Sequence, residues 1–429
     1  MTLLQDRPEE TLVDQLDAWL SCRADMMEDP IPFCHRLREG APVLLRGSRA
    51  FASRYVDVEL IARDYRLFSV DRSQSVDTFL PPNLTDEEAE LFRTVYRFFD
   101  LWMTSTDPPG HARLRGLVHM AFTPRRVAAM RREIEAITDD LIARARSRGA
   151  INVVDDYAYR LPMDVICSML GFPREDWDAV REWSDTIAAF MGGNMSELTQ
   201  VVASIEKFRA YVRELAAERR ENPAADDLLA ALVTAESEGD RLTEDELEGM
   251  VVLLAFAGHE TTTGMISNGL YHLLTHPDQL EILRNDWSLM PQAVEEILRY
   301  DSNVSAIHRI AVQDVVLSGV TIPAGTNVVG LIAAANRDPE VFEEPDAFNI
   351  VRTGSKHLTF SVGPHYCLGQ ALARLEAPIA LERLLREFPR LEIAGEITWR
   401  RNWQLRQVSA LPIELNDGTS PRMTGLPHS

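Results

Sequence analysis

Apolar residues at three- and four-residue spacing dominate the chain. RVAAMRREIEAITDDLIARARSRG (126–149) carries that spacing and closes on Gly149, a helix stop. TEDELEGMVVLLAFAGHETTTGMISNGLYHLLTHP (243–277) opens with Thr243 and Glu246 at the spacing of a capping box and runs to Pro277. At about 1.5 Å per residue it predicts a rod of roughly 50 Å, long enough to cross a whole domain. MPQAVEEILRY (290–300) and GQALARLEAPIALERLLREF (369–388) predict two more helices. Strand patterns are fewer. PVLLR and AFASRY, within 42–55, predict a hairpin. The stretch 315–336 alternates and turns at Gly319 and at Pro323–Gly325, and 397–415 adds further strand. The expectation is a mainly α fold with small β-sheets.

From Met250 to Ala257 the long helix is apolar on every face, so its middle is buried. His259, Glu260, Thr261, Thr262 and Thr263 then follow in succession. A buried carboxylate is costly unless paired or hydrated, and consecutive threonines weaken a helix. One reading is a core kink whose polar groups are satisfied internally. The other is an active-site distortion, in which a threonine hydroxyl leaves the helical ladder to bond something else while an acid waits nearby. His259-Glu260 also begins an H-E-x-x-H pattern. Thr263 stands at the second ligand position, so one face of this helix offers a single ligand and a metalloprotease is rejected.

The 429 residues are 45% hydrophobic, ample for a large core. No linker, repeat or low-complexity run divides them. The expected organisation is an N-terminal extension (1–27), one catalytic domain (28–415) and a flexible, turn-rich tail (416–429). A formal net charge of −22 excludes nucleic-acid binding by a general basic surface. MTLLQDRPEE lacks the regions of a signal peptide. The longest apolar run, MVVLLAFAG, falls far short of the ~18 residues a spanning helix needs. A cytoplasmic monomer with no membrane association is expected. Of the four cysteines, Cys22, Cys34 and Cys167 lie in helix-like contexts and read as buried small apolar residues.

Cys367 stands apart. In HLTFSVGPHYCLGQALAR (357–374) glycines flank it at 363 and 369, His365 precedes it by two, and a helical pattern starts just after it. A nucleophilic cysteine would need a histidine base presented to the sulfur and a substrate cleft, which a flat, glycine-lined loop does not offer. Cationic residues recur elsewhere. His111 and Arg115 share a helix face in DPPGHARLR, and Arg309 stands in IHRIA. With His365 they suit a clamp on a ligand bearing more than one carboxylate. Glu296 and Arg299 are at i and i+3 on one helix, a common spacing.

Taken together these motifs resemble the cytochrome P-450 monooxygenases of the soluble bacterial type, over about residues 28 to 415. Phe360-x-x-Gly363-x-His365-x-Cys367-x-Gly369, followed by Ala373-Arg374, is similar to the family's haem-thiolate loop. Ala257-Gly258-x-Glu260-Thr261, Glu296-x-x-Arg299 and ANRDPEVFEEPDAFN also fall in the family's order. The resemblance implies haem b held between the long central helix and the helix following the cysteine loop, with the Cys367 thiolate as axial ligand. It implies His111, Arg115, Arg309 and His365 at the haem propionates. Glu260 and Thr261 would be an acid–alcohol pair that delivers protons during oxygen activation. Glu296 and Arg299 would be structural, joined by Arg352.

The function so implied is a haem-thiolate monooxygenase. It would take electrons from a separate small ferredoxin, or flavodoxin, and its NAD(P)H reductase. It would use O2 to hydroxylate or oxidatively couple an apolar, natural-product-type small molecule. A haem-thiolate sensor or binding protein, an isomerase and a peroxygenase are the alternatives. Expected pocket walls are Phe99, Ala257, Val304, Ile307 and Val408. Phe79, Phe92, Tyr96, Phe98, Phe99 and Trp102 make residues 70 to 103 dense in aromatics, which favours an apolar or aromatic substrate. Residues 108 to 132 contain Arg113, Arg115, Arg125, Arg126, Arg131 and Arg132 and no acid. In a chain of this charge that patch suits an acidic ferredoxin; its other reading is an ordinary solvated helix surface.

Overall fold

The computed structural model describes residues 10–416, leaving aside 73–75, 82–83, 193–194, 196, 223–224, 238 and 355 and the side chains of 78, 79, 236, 237 and 416. The expected tail beyond 416 and the expected pocket residue Phe79 therefore lie outside the described residues.

The long helix spans Glu244–Thr275. Thr243 accepts from the Glu246 amide and the Glu246 carboxylate takes the Thr243 N–H, so both orphan donors of the capping box are answered. Apolar on every side, this helix is the axis of the molecule. Arg160–Leu170, Leu198–Glu221 and Gln370–Glu387 all pack against it. It does not break at its threonines. Thr261 and Thr263 each donate a hydroxyl hydrogen to the carbonyl four residues back, Ala257 and His259, at 2.9 Å. The helix is continuous through this stretch, and these two hydroxyls bond within it.

The 126–149 prediction resolves into two helices, Pro124–Ala129 and Arg131–Arg148, meeting at Met130. The second ends at Gly149, whose φ of 72° is the left-handed cap that favours glycine. Met290–Tyr300 and Gln370–Glu387 form as the spacing predicts. The largest sheet has five strands in the order Val43–Arg46, Arg49–Ala52, Asn327–Leu331, Ala306–Ala311, Phe68–Ser69. Asn327–Leu331 runs parallel to Arg49–Ala52, pairing Val329 with Phe51. It runs antiparallel to Ala306–Ala311, pairing Val329 with His308.

The packed fold begins before residue 28. Helices Leu12–Leu20 and Ile31–Gly40 bury Leu16, Trp19, Phe33 and Leu37 against Phe51 and Val329 of that sheet. The extension expected over 1–27 is thus partly core, because its apolar face finds the sheet. Cys34 and Cys167 are buried, whereas Cys22 is half-buried, in a turn after the first helix. Among the described residues, no helix is long and apolar enough to cross a membrane.

Candidate active site

The loop before Gln370–Glu387 is shaped by its glycines. Gly363 has φ 73°, and a Cβ there would come within 2.9 Å of the Arg63 Cα, so no side chain fits. The Cys367 N–H donates to the Phe360 carbonyl at 2.9 Å and closes the loop. Burial pushes the Cys367 thiol up, against the Gly369 and Gln370 N–H groups and the Arg115 and Arg374 charges that favour thiolate. A thiol held up in this way is not an activated nucleophile; its thiolate awaits an adjacent cation.

Cys367 opens onto a cavity between the long helix and Gln370–Glu387, with about 1290 Å³ of space, part of it open to solvent. Leu253, Leu254, Met265 and Leu372 give it an apolar wall. Gly369 also lines it, with an ordinary φ of −78° and nothing within 4 Å of where its Cβ would be. Neither backbone nor protein neighbours demand glycine there.

Ala257, Val304 and Ile307 line the cavity as expected; two other expected wall residues do not. Phe99 is buried in an aromatic cluster, its ring 4.4 Å from Trp102 and 5.9 Å from Phe190. Val408 is fully buried in a strand, its N–H donating to Asn268. Both are core, since close partners already enclose them.

His111 and Arg115, both on the helix Gly110–Ala121, and His365, from the cysteine loop, reach the cavity. The two imidazole centroids are 4.2 Å apart. Burial first, then the charges of Arg309, His111 and Arg115, push His365 down to about 3. Burial and Arg115 lower His111. Nε2 of each ring is buried without a hydrogen-bond partner among the described residues. Two unanswered nitrogens beside a guanidinium suit the anionic edge of a flat group whose faces meet apolar walls. These residues fit haem. Arg309 does not line the cavity. Its Nη1 donates to the His308 carbonyl at 2.8 Å, and burial lowers its pKa to about 10. Its charge also lowers the pKa of His365.

Thr261 also lines the cavity, and Asn303 Nδ2 pins its carbonyl at 2.5 Å. Glu260 does not line it. Its carboxylate faces Arg400, whose Nη1 lies 2.5 Å from Oε2, and His259, whose Nε2 lies 3.6 Å from Oε1. The expected pair is therefore split, with the alcohol at the cavity and the acid turned to an arginine. No pattern in the sequence points to Arg400, which arrives from a distant loop.

Glu376 is the residue that sequence reasoning missed. It lines the cavity on the helix after Cys367 and is 1% exposed. Burial alone raises its pKa well above the ordinary value, and Oε2 has no partner among the described residues. An acid inside the apolar run LARLEAPIAL was the available signal. Below the loop, Arg299 grips Glu296 with two 2.8 Å bonds, and Arg352 reaches the same carboxylate at 3.1 Å. Arg299 Nη1 also donates to the Asn336 and Pro345 carbonyls, and Nη2 to the Ala347 carbonyl, fixing the segment that leads to the loop.

Fold and site define a mainly α protein with a cysteine loop opening onto an apolar cavity whose residues suit a flat prosthetic group. Comparison with known proteins agrees. The model of the family described as Cytochrome P450 matches residues 93–401. Cytochrome P450 107B1 of Saccharopolyspora erythraea is 45% identical over 315 residues, 72% of this chain and 76% of the relative. The 6-deoxyerythronolide B hydroxylase of the same organism is 37% identical over 390 residues, 89% and 94% of the two chains. Among solved structures, the Bacillus subtilis 168 bacillaene polyketide synthase cytochrome P450 PksS superposes with a TM-score of 0.82. It is 33% identical, over 92% of this chain and 99% of that one. The chain belongs to the cytochrome P450 family and is a monooxygenase of the bacterial type. The family binds haem through a cysteine thiolate.

Proposed function

We propose that the chain holds haem b on Cys367 and hydroxylates an apolar natural-product-type small molecule, with electrons from a separate ferredoxin or flavodoxin and its NAD(P)H reductase. The observation that carries this reading is one cavity shared by the Cys367 loop and Thr261 and walled by aliphatic side chains. The relatives named as a hydroxylase and as a polyketide-synthase P450 support the substrate class. An apolar wall selects apolar surface and excludes water.

Bound haem supplies the oxygen chemistry; the chain supplies geometry and protons. His111, Arg115 and His365 hold the propionates, and Arg309 adds charge behind them. Thr261 spends its hydroxyl hydrogen on Ala257, so its oxygen accepts from a water in the cavity and keeps a proton close by. Glu260 recharges that water by exchanging Arg400 for the cavity side. Ala257, Val304 and Ile307 shape the substrate's place.

The docking surface for the electron donor is narrower than the sequence suggested. Arg113 pairs with Asp240 and Glu246, Arg126 with Asp226, and Arg131 with Glu135. Arg115 turns to the Tyr366 carbonyl. Arg125 and Arg132 are exposed, with no acidic partner among the described residues, and offer the free positive charge.

The test combines spectra with turnover. The ferrous CO adduct of the parent should show the red-shifted thiolate band, and Cys367→His should lose it. Apolar polyketide-type compounds should shift the haem spin state and be hydroxylated only when ferredoxin and reductase are both present. Retention of the band in the variant would end the reading.

A further inference from the structure

We propose that Asp185, His259 and Glu260 form a binding site for one divalent transition-metal ion of the zinc class, outside the haem cavity. Asp185 lies on Trp177–Met191, and the other two on the long helix. One carboxylate oxygen of each acid and one imidazole nitrogen lie within 4.8 Å of one another.

His259 carries the argument. Its ring is fully buried, and Nδ1 lies 2.9 Å from the Ala255 carbonyl. A carbonyl only accepts, so Nδ1 bears the hydrogen and Nε2 is left facing the carboxylates. Nε2 has no hydrogen-bond partner among the described residues. A lone pair turned on carboxylates is repulsive unless a cation sits between them. The cation is a proton or a metal, and distance separates the two. Nε2 to Glu260 Oε1 is 3.6 Å, longer than the ~2.7–3.2 Å of an N–H···O bond. It is close to the ~3.3 Å between ligand atoms of a tetrahedral ion with bonds of about 2.0–2.1 Å.

The surroundings are those of a metal site as well. Each ligand is oriented by an outer partner, as metal ligands commonly are. The Ala255 carbonyl fixes His259, Arg400 and Gln407 hold Glu260 Oε2, and the Tyr159 hydroxyl holds Asp185 Oδ1 at 2.5 Å. Glu260 Oε1 is left to the metal. The nearby cations are already engaged, Arg400 by Glu260 and Arg181 by Asp178 and Asp164. Asp185 is exposed, so an ion enters from solvent, and water completes the fourth position. The incomplete H-E-x-x-H pattern thus gains its missing ligand from another helix. An ion on Oε1 would hold Glu260 away from the cavity and lower coupled turnover; that consequence rests on the proton-relay reading above.

Equilibrium dialysis of the full-length, haem-loaded protein against Zn2+ tests the site. The parent should bind one ion that Asp185→Asn and His259→Gln each weaken at least about tenfold. Zinc X-ray absorption of the parent should show a nitrogen and oxygen shell with one imidazole. Zinc binding unchanged in Asp185→Asn, or a shell containing sulfur, overturns the proposal. Should His259→Gln fail to fold, the exposed Asp185 variant decides. If zinc binds the parent and not the variant while coupled turnover stays the same, the site stands and the relay reading falls.

Discussion

Arg400 holds Glu260 away from the haem cavity. Its Nη1 lies 2.5 Å from Oε2 of a carboxylate that is only 3% exposed. Burial alone would raise the acid's pKa, but His259 and Arg400 outweigh it and the group lies at about 2. At 3.6 Å His259 Nε2 is too far from Oε1 for a hydrogen bond, so the Arg400 contact is the direct one. The acid proposed to deliver protons is therefore stored as an ion pair.

Replacing Arg400 with Gln should destabilise the protein by about 1–3 kcal/mol at pH 7, less than a fully enclosed pair because the arginine is partly exposed. The sign follows from the depressed pKa. The stability it contributes is complete above 4.5 and is lost as pH falls through about 2. Urea unfolding at pH 7 and pH 3 should show a smaller parent–variant difference at pH 3. Equal differences would remove the ion pair as the cause.

Thr261→Ala keeps helix propensity and deletes the hydroxyl that lines the cavity. Haem incorporation and the CO spectrum should match the parent. The protonation step should slow by ~10²–10⁴-fold, the usual scale for a positioned proton-transfer group. Reduced cofactor should then be spent on hydrogen peroxide rather than product. Product and peroxide formed per NAD(P)H consumed are the measurements, and parental coupling would overturn the assignment of Thr261.

Glu376 predicts a pH dependence of opposite sign. Its folded pKa is raised well above 4.5 by burial. The associated stability is complete below the unfolded value and is lost as pH rises, at about 1.4 kcal/mol per pH unit within the window. Glu376→Gln should flatten the decline in stability above pH 5. Parallel pH profiles of thermal unfolding for parent and variant would show that the carboxyl finds a partner.

Arg125→Glu with Arg132→Glu should slow reduction by an acidic ferredoxin several-fold at low salt and little at high salt, because screening weakens steering between exposed charges. Stopped-flow reduction at two ionic strengths measures it. Arg113→Glu should act chiefly by breaking its contacts to Asp240 and Glu246, and so should alter stability as well.

Much of the molecule was settled by local sequence. The capping box at Thr243, the left-handed stop at Gly149 and the extents of Met290–Tyr300 and Gln370–Glu387 are set by residues three or four apart, which any reader of the chain can see. The cysteine loop was legible through its resemblance to the family's haem-thiolate loop, carried by Phe360, Gly363, His365, Cys367 and Gly369. Only the tertiary structure decided which neighbours those residues keep. Phe99 and Val408 are apolar, and apolar character alone does not separate a cavity wall from a core. Thr261 and Glu260 are adjacent in sequence, yet about 100° of rotation per residue in an α-helix sends one to the cavity and the other to Arg400. Arg400 itself, the Asp185 that faces His259 and the empty surroundings of Glu376 come from chain segments far apart in sequence. Pairings of that kind are fixed by packing, which couples residues by shape and charge across space and leaves no periodic trace along the chain.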